Sequence, residues 1–449
     1  MSHLPISQKR IEKEIKQRFI ESELLISSNA KAFLFGEYLI FHAGTSLITG
    51  INSSRMIISF KFYQKTDDND EVSISRIYEK DPSGMLIDLT KKLTKDWIEI
   101  IKISVIKWKD ALKKVLETIK HPSYNDEMIK KIDNLCIDLY IITGVIYRGG
   151  LGSSAVIASI LSAAVMNKLG IISEKLTPEE RTLIFLVAIM LEDAYHHSKA
   201  YIKNLKGIAG GFSVIPCIYP LEKGQFFELD LLKFFQLQKD EQSQFKEIPI
   251  NEFITKIYES GDLLKTPMLS YVSVNSDLLD KLYFTVYFSG TRASTQSMIK
   301  KMAKKSPEFW EIYNLTFQQM SQISQLLTKK IQEMVTDESV KEIKTLFDML
   351  QTNFGSLGVV PIEITRTLSE LNLLSTKEKL YFGKVLGASG GGSFLLITTK
   401  EVDEKDEEVV YKFLPNGEKI STDLLKNPSR GLIFHGRPLN FEFDLKDYY

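Results

Sequence analysis

The sequence Gly149-Gly150-Leu151-Gly152-Ser153-Ser154-Ala155 opens a mostly apolar run that continues to Leu169. A turn of glycines followed by two serines predicts a loop that leads into the N-terminus of a helix. Such a terminus presents unpaired backbone N–H groups and a partial positive charge, and both suit an anion. Glycine lets the backbone approach a phosphate closely because it has no Cβ. The hydroxyls of Ser153 and Ser154 are available to a phosphate or to a phosphate-bound Mg²⁺.

This segment is neither of two common phosphate-binding motifs. It has no Gly-Lys-Ser/Thr ending, so the lysine of a Walker A loop is missing. The G-x-G-x-x-G spacing of a Rossmann fingerprint is also absent, and no acidic residue follows at the required distance. Taken alone, the segment is equally compatible with a glycine-containing turn before an ordinary core helix.

Two further glycine-bearing segments lie far from the first along the chain. One is Lys31-Ala-Phe-Leu-Phe-Gly36-Glu37-Tyr38, within a run that predicts a strand, a tight turn at Gly36 and a second strand. The other is Lys384-Val-Leu-Gly387-Ala-Ser-Gly-Gly-Gly-Ser393, which precedes a predicted strand. In order and spacing, over about residues 25–400, the three segments together resemble the three motifs of the GHMP kinases.

The resemblance implies a fold and a division of the chain. The fold is the α+β GHMP kinase fold with two domains. The N-terminal half binds ATP and has a ribosomal-protein-S5-like topology, and the C-terminal half is ferredoxin-like. We expect an N-terminal helical extension over 1–23, an ATP-binding domain over 24–225 and a C-terminal domain over 265–449. Between the two domains, the hydrophobic periodicity weakens.

Composition indicates an ordinary globular enzyme. The chain has 449 residues, which is enough for two domains. The number of lysines and arginines equals the number of aspartates and glutamates, so the net charge is zero. Nothing in this balance indicates a nucleic-acid or membrane partner. Cys136 and Cys217 are the only cysteines, which favours a reducing compartment such as the cytoplasm over a disulfide framework. No apolar stretch long enough to span a membrane is evident.

Local patterns predict several elements. Residues 1–23 lack the apolar core of a signal peptide, and the spacing of Ile11, Ile15 and Phe19 predicts an amphipathic helix. Strands are predicted over 24–40, 45–63, 135–147, 212–218, 283–288 and 393–398. Helices are predicted over 86–119, 155–169, 178–201, 294–304, 307–333 and 340–354.

The resemblance assigns roles in phosphoryl transfer to three groups. Gly149–Ala155 would hold the phosphates of ATP. Ser154 and Glu192 would bind Mg²⁺, although Glu192 also fits a solvated helix face. Lys31 would be the cation that helps activate the acceptor hydroxyl, and its alternative interpretation is a surface lysine at a strand end. Ser213 stands in the catalytic position described next.

Position 213 departs from the mevalonate branch of the family, in which an aspartate follows a glycine in a short loop. The corresponding stretch here is Gly210-Gly211-Phe212-Ser213-Val214. A serine hydroxyl is no base at neutral pH, and general base catalysis is typically worth about 10² to 10⁴ in rate. Three explanations stay open. The acceptor proton goes directly to phosphate, another carboxylate such as Asp193 substitutes, or the protein binds its ligands without turnover.

A fourth segment points to the acceptor. Gly290-Thr-Arg292-Ala-Ser294-Thr295 resembles a family sequence that precedes a helix. Ser294 and Thr295 would cap that helix and aim N–H groups at an anion. Arg292 would clamp a carboxylate or phosphate, or would be a plain surface arginine.

The resemblance further places Glu37, Tyr38, Gly390, Gly391 and Gly392 at the substrate. The sequence Gly-Phe-Ser-Val at 211–214 resembles the phosphomevalonate kinase pattern, which implies phosphomevalonate as the first-choice small-molecule acceptor. Mevalonate or another sugar or alcohol acceptor comes next, because Ser393 replaces an aspartate often found after the third set of glycines. A homologue that only binds nucleotide or metabolite is the alternative from another functional class. The sequence leaves the oligomeric state open, a homodimer included.

Overall fold

The structure, a computed structural model, describes most of the chain. The described residues are 6–37, 45–66, 72–80, 85–90, 107–146, 149–197, 213–230, 250–292, 307–334, 336–387, 392–422 and 424–435. No helix within these ranges is both long enough and apolar enough to cross a lipid bilayer.

The described strands form two sheets. The first sheet contains β1 Leu24–Phe35, β2 Ser46–Gln64, β3 Val72–Lys80, β4 Leu86–Asp88, β5 Leu135–Thr143, β6 Gln225–Leu229, β7 Leu269–Ser273 and, from the end of the described chain, β12 Ile433–His435. The second sheet contains β8 Tyr283–Phe288, β9 Tyr381–Val385, β10 Ser393–Thr398 and β11 Glu418–Ser421.

The described helices lie between and after these strands. They are α1 Ile6–Glu21, α2 Trp108–Thr118, α3 Asp126–Asn134, α4 Ser153–Lys168, α5 Pro178–His197, α6 Ile215–Ile218, α7 Ile250–Glu259, α8 Ser276–Lys281, α9 Pro307–Lys330, α10 Asp337–Ser356, α11 Ile362–Leu373 and α12 Glu404–Phe413.

The first sheet has the strand order β12-β1-β2-β5-β3-β4, and β6 joins the start of β2 to β7. β3 and β5 run parallel, whereas the other pairs in this sheet are antiparallel. The second sheet is antiparallel with the order β11-β8-β10-β9. Two strands from beyond residue 265, β7 and β12, therefore pair within the first sheet. The division of the chain into 24–225 and 265–449 stays a prediction.

Helices cover both faces of the first sheet. α4 packs on β1 and against α5, and its residues from Ala155 to Met166 are all buried. The predicted N-terminal amphipathic helix is confirmed as α1, which buries Ile15 and Phe19 on a separate cluster of apolar side chains. Arg18 fastens α1 to the sheet through an ion pair of 2.7 Å with Asp138 of β5.

The helix predicted over 86–119 is only partly confirmed. Its end forms α2, but its start, Leu86–Asp88, is strand β4, which pairs with Tyr78–Lys80 of β3. A charged segment without glycine or proline can form either a helix or a strand. Here Leu86–Asp88 form a strand because they pair with the edge of β3. Residues 91–106 and the helix predicted over 294–304 lie outside the described residues.

Candidate active site

The loop Gly149–Gly152 leads into a helix, as the sequence predicts, and α4 begins at Ser153. Gly152 is its N-cap residue, and a φ of 79° places the glycine in the left-handed region. Glycine has no side chain that could accept hydrogen bonds from the first turn. Ser153 and Ser154 are both partly exposed at this end. The first turn of α4 therefore keeps its N–H groups and partial positive charge available for an anion.

The third glycine-rich segment packs against this loop through backbone atoms. A Cβ at Gly387 would lie 2.8 Å from the carbonyl oxygen of Gly150, and a Cβ at Gly392 would lie 3.0 Å from the carbonyl group of Gly149. Any side chain at either position would push the two segments apart. The connection between β5 and α4, in the first sheet, thus meets the connection between β9 and β10, in the second.

Lys31 extends from β1 along the same loop. Its N–H donates to the carbonyl oxygen of Leu151 at 3.0 Å, and a Cβ at Gly152 would lie 2.8 Å from its Cγ and Cε. Only 5% of Lys31 is exposed, and its Nζ lies 4.4 Å from the centroid of the Phe33 ring. The interpretation as a surface lysine is therefore wrong, and the first segment joins the other two.

The charge on Lys31 is set by opposing influences. Burial lowers the pKa of Lys31 to about 8, because the ammonium loses its hydration. The carboxylates of Glu37 and Glu192 counteract this shift, and the ammonium of Lys384 adds to it. At neutral pH, Lys31 is still mostly protonated. It can therefore present a positive charge beside the glycine loop.

Glu37 follows the turn at Gly36 and forms an ion pair with Lys384 of β9. The Lys384 Nζ donates to Glu37 Oε1 and also, at 2.7 Å, to the carbonyl oxygen of Val385. The side chains of Lys384 and Glu37 are 0% and 3% exposed. Burial raises the pKa of Glu37 and lowers that of Lys384, while their mutual attraction opposes both shifts. The pair links the first predicted segment to the third.

Glu192 lies on α5 and is only 2% exposed, so its interpretation as part of a solvated helix face is wrong. Its charge acts on Lys31, and α5 packs against α4, which carries Ser154. Mg²⁺ in nucleotide sites takes one or two protein oxygens together with phosphate and water, and a hydroxyl and a carboxylate fit that chemistry. Within the described ranges, no group of three or more His, Cys, Asp or Glu is placed to hold a metal.

The strand predicted over 212–218 is wrong in its described part, because Ile215–Ile218 form the short helix α6. Pro216 lies in the first turn, where its fixed φ suits a helix and its missing N–H has no intrahelical partner to lose. α6 packs on β1, and Ser28 Oγ donates to the carbonyl oxygen of Cys217 at 2.6 Å. Cys217 is fully buried.

Ser213 lies immediately before α6. Its carbonyl oxygen accepts a hydrogen bond from Cys217 Sγ at 3.4 Å, and Cys217 lies close enough to Lys31 to interact with its charge. The packing of α6 on β1 thus brings Ser213 into the neighbourhood of Lys31. At this place the chain offers a hydroxyl rather than a carboxylate.

Arg292 is placed at the edge of the same region. The preceding residue, Thr291, accepts a hydrogen bond from the N–H of Gly392 at 2.6 Å, so this segment is joined to the third glycine segment. The Arg292 Nη2 lies 3.2 Å from Glu79 Oε2 at the end of β3. Its guanidinium therefore has a carboxylate partner and remains partly exposed.

Some predicted site residues lie outside the described residues. They are Tyr38, Ser294, Thr295, Gly390 and Gly391, together with the side chain of Asp193.

The structure adds two residues to which the sequence assigned no role. Lys384 stands within the quoted third segment, and a lysine inside the otherwise apolar and buried β9 is the signal that could have revealed it. Glu79 carries no such signal, because it sits among other charged residues at the end of β3 and is found only through its contact with Arg292.

Comparison with solved structures finds this fold in other proteins. Lactococcus lactis galactokinase complexed with galactose matches with a TM-score of 0.54 and 12% identity, covering 94% of this chain and 99% of that chain. Streptococcus pneumoniae phosphomevalonate kinase, in complex with phosphomevalonate and AMPPNP, matches with a TM-score of 0.52 and 12% identity, covering 88% and 99%. A Lin0012 protein from Listeria innocua matches with a TM-score of 0.53 and 14% identity, covering 92% and 99%.

No family model and no curated protein matches the sequence. Identities this low show the fold and nothing finer. The predicted α+β fold is confirmed, because the similarity covers nearly the whole of each compared chain.

Proposed function

Because the chain has the fold of the GHMP kinases, we propose that it is an ATP-dependent kinase that phosphorylates a small molecule. One observation carries this proposal. Three segments far apart in sequence converge on the first turn of α4, and the buried ammonium of Lys31 lies beside them. A helix N-terminus that glycines keep open, next to a buried cation, suits a polyphosphate.

Transfer of a γ-phosphoryl group depends on positioning and charge neutralisation more than on covalent chemistry. The backbone of Gly149–Ala155 would hold the phosphates of ATP, because no Cβ blocks their approach. Lys31 would place its positive charge near the transferred group. Ser154 and Glu192 would hold Mg²⁺, which when bound supplies further positive charge to the phosphates.

We favour phosphomevalonate as the acceptor, which would make the product diphosphomevalonate, an intermediate of isoprenoid precursor synthesis. The Gly-Phe-Ser-Val stretch that ends at Val214 and the Arg292 guanidinium support this choice, since an acceptor with a carboxylate and a phosphate needs a cationic partner. Galactokinase and phosphomevalonate kinase have nearly equal TM-scores to this chain. Mevalonate, or a sugar or another alcohol, is therefore the alternative acceptor.

A second candidate function rests on Ser213. With a hydroxyl where the mevalonate branch has an aspartate, the protein would bind nucleotide or metabolite without turnover and act as a regulatory protein. A serine cannot accept a proton at neutral pH.

The proposal is tested by measuring the release of ADP in the presence of ATP and Mg²⁺. The candidate acceptors are phosphomevalonate, mevalonate, homoserine and hexoses. The natural protein and the Ser213→Asp variant are measured side by side, and nucleotide affinity is measured for both. We expect acceptor-dependent turnover by the natural protein with phosphomevalonate. Turnover with a different acceptor only would overturn the choice of phosphomevalonate but leave the proposed kinase function standing. Nucleotide binding without turnover, restored in Ser213→Asp, would overturn catalysis in favour of the binding function.

A further inference from the structure

A kinase with this site needs a group that takes the proton of the acceptor hydroxyl. Position 213, near Lys31, holds a serine. Among the described residues, the carboxylates that act on the charge of Lys31 are those of Glu37 and Glu192. Glu192 is the candidate ligand for Mg²⁺, and that role uses its charge. Glu37 is thus the carboxylate still available.

The turn before Glu37 admits only glycine. Gly36 has a φ of 91°, and a Cβ there would lie 2.6 Å from the Cα of Ser46 and 2.8 Å from the carbonyl oxygen of Thr45. The Ser46 hydroxyl also donates to the Gly36 carbonyl oxygen at 2.6 Å. The backbone that carries Glu37 is therefore held closely against the start of β2.

The two oxygens of the Glu37 carboxylate have different surroundings. Oε1 accepts a hydrogen bond from Lys384. Within the described part of the chain, Oε2 is buried and accepts no hydrogen bond. Buried carboxylate oxygens are nearly always hydrogen-bonded, so Oε2 is suited to receive a donor that a ligand brings.

Lys384 and Lys31 both lie close to Phe33. The Lys384 Nζ lies 3.5 Å from the Phe33 carbonyl oxygen, and the Lys31 Nζ lies over the Phe33 ring. Glu37, paired with Lys384, therefore lies in the same buried group of charges as the candidate catalytic lysine.

We propose that Glu37, held in place by Lys384, accepts the proton of the acceptor hydroxyl, the role that an aspartate at the position of Ser213 fills in the mevalonate branch. This inference rests on the proposed kinase function. The proton moves from the acceptor oxygen to Glu37 Oε2, and the acceptor oxygen forms a bond to the γ-phosphorus. The bond from the γ-phosphorus to the β–γ bridging oxygen breaks, and ADP leaves with the electron pair. Glu37 returns its proton to water after the products leave.

The charged groups that face Glu37 fit this role. Burial raises the pKa of Glu37, which makes it a stronger base than an exposed carboxylate, and Lys384 and Lys31 oppose that shift. The ion pair with Lys384 favours the ionised form of Glu37, which is the form that can accept a proton. The part of Lys384 itself is positioning, because it acts through Glu37.

The test compares Glu37→Gln with Asp406→Asn in acceptor phosphorylation by the full chain. Asp406 is a matched control, since it is a buried carboxylate that pairs with Lys379 away from the glycine loop. We expect Glu37→Gln to lower kcat by about 10² to 10⁴ while ATP affinity changes by less than about threefold. Asp406→Asn should keep kcat in the folded fraction of the protein.

Rescue separates chemistry from structure. The double variant Glu37→Gln with Ser213→Asp should have a kcat at least about tenfold higher than that of Glu37→Gln alone, because the new aspartate supplies a carboxylate near Lys31. If Glu37→Gln does not fold, Glu37→Asp takes its place. Its carboxylate is drawn back by one methylene, so kcat should still fall at least about tenfold.

The outcomes distinguish the two proposals. Turnover by the natural protein together with an unchanged kcat in folded Glu37→Gln or Glu37→Asp would overturn the role of Glu37 and leave the kinase standing. A loss of kcat that Ser213→Asp cannot restore would also overturn it, since a structural defect explains such a loss. No turnover of any acceptor by the natural protein would remove the kinase function itself.

Discussion

Strand β9 has a paired lysine near each end, and the two lysines differ in their surroundings. Lys384, next to the glycine loop, has one carboxylate partner, Glu37, and both side chains are almost fully buried. Lys379, just ahead of the other end, is 14% exposed and pairs with Asp403 at 2.9 Å and with Asp406 at 2.6 Å.

The pKa values of the two lysines are therefore shifted in opposite directions. Burial lowers the pKa of Lys384, and a single carboxylate only partly opposes the shift. Burial acts the same way on Lys379, but its hydrogen bonds with Asp406 and Asp403 outweigh that effect and raise its pKa. The far end of the strand thus holds a charge that stabilises the fold. The end at the candidate site holds charge at an energetic cost, as expected where chemistry needs it.

The largest expected effect tests this difference in stability. Lys384→Met leaves the Glu37 carboxylate buried without its partner, and we expect the free energy of unfolding to fall by about 3–5 kcal/mol. Lys379→Met should cost less, because the Tyr381 hydroxyl still donates to Asp406 at 2.7 Å. Urea denaturation at neutral pH measures both.

The double variant Lys384→Met with Glu37→Gln provides the control. It removes both charges and should recover most of the loss. Equal losses in the two lysine variants would show that the ends of β9 do not differ.

The next effect is a pH dependence. The folded-state pKa of Lys31, about 8, lies below its ordinary value of 10.5, so between these values the unfolded chain binds more protons than the folded chain. The stability that Lys31 contributes should therefore rise as the pH increases from 8 to 10.5. At about 1.4 kcal/mol per pKa unit, the free energy of unfolding should gain about 3 kcal/mol relative to Lys31→Met. Urea denaturation across this pH range measures the gain.

Lys379→Met is the matched control for that pH series. The pKa of Lys379 is raised, so the stability it contributes is fully present below 10.5 and is lost only as the pH rises further. The difference between this variant and the natural protein should stay constant from pH 8 to 10.5. A constant difference for Lys31→Met as well would contradict the low pKa of Lys31.

The smallest expected effect compares the two ends of α4. Gly152 and Gly170 both have a positive φ, so alanine at either position brings a similar strain of about 1–2 kcal/mol. Only at Gly152 would the new Cβ collide with Lys31, whereas nothing lies within 4 Å of it at Gly170. We expect Gly152→Ala to weaken ATP affinity at least about tenfold in calorimetric titration, and Gly170→Ala to leave it unchanged. Equal weakening would mean that strain alone is responsible.

The sequence by itself determined the elements whose causes are local. Glycines followed by two serines and an apolar run predicted the loop and α4, because glycine readily adopts the positive φ found at Gly152. The spacing of Ile15 and Phe19 predicted α1, because residues four apart share one face of a helix. Where a local pattern allowed two outcomes, the prediction failed. The apolar run at Ile215–Ile218 forms a helix that begins around Pro216, and Leu86–Asp88 joins the edge of β3.

Only the tertiary structure decided which charges are buried and which residues they face. Glu37 and Lys384 lie 347 residues apart in the chain and meet because the glycine segments of the two sheets pack together. Glu192 fitted a solvated helix face equally well until the packing of α5 against α4 was known. Burial and long-range pairing depend on how complete elements pack, and no local pattern of residues contains that information.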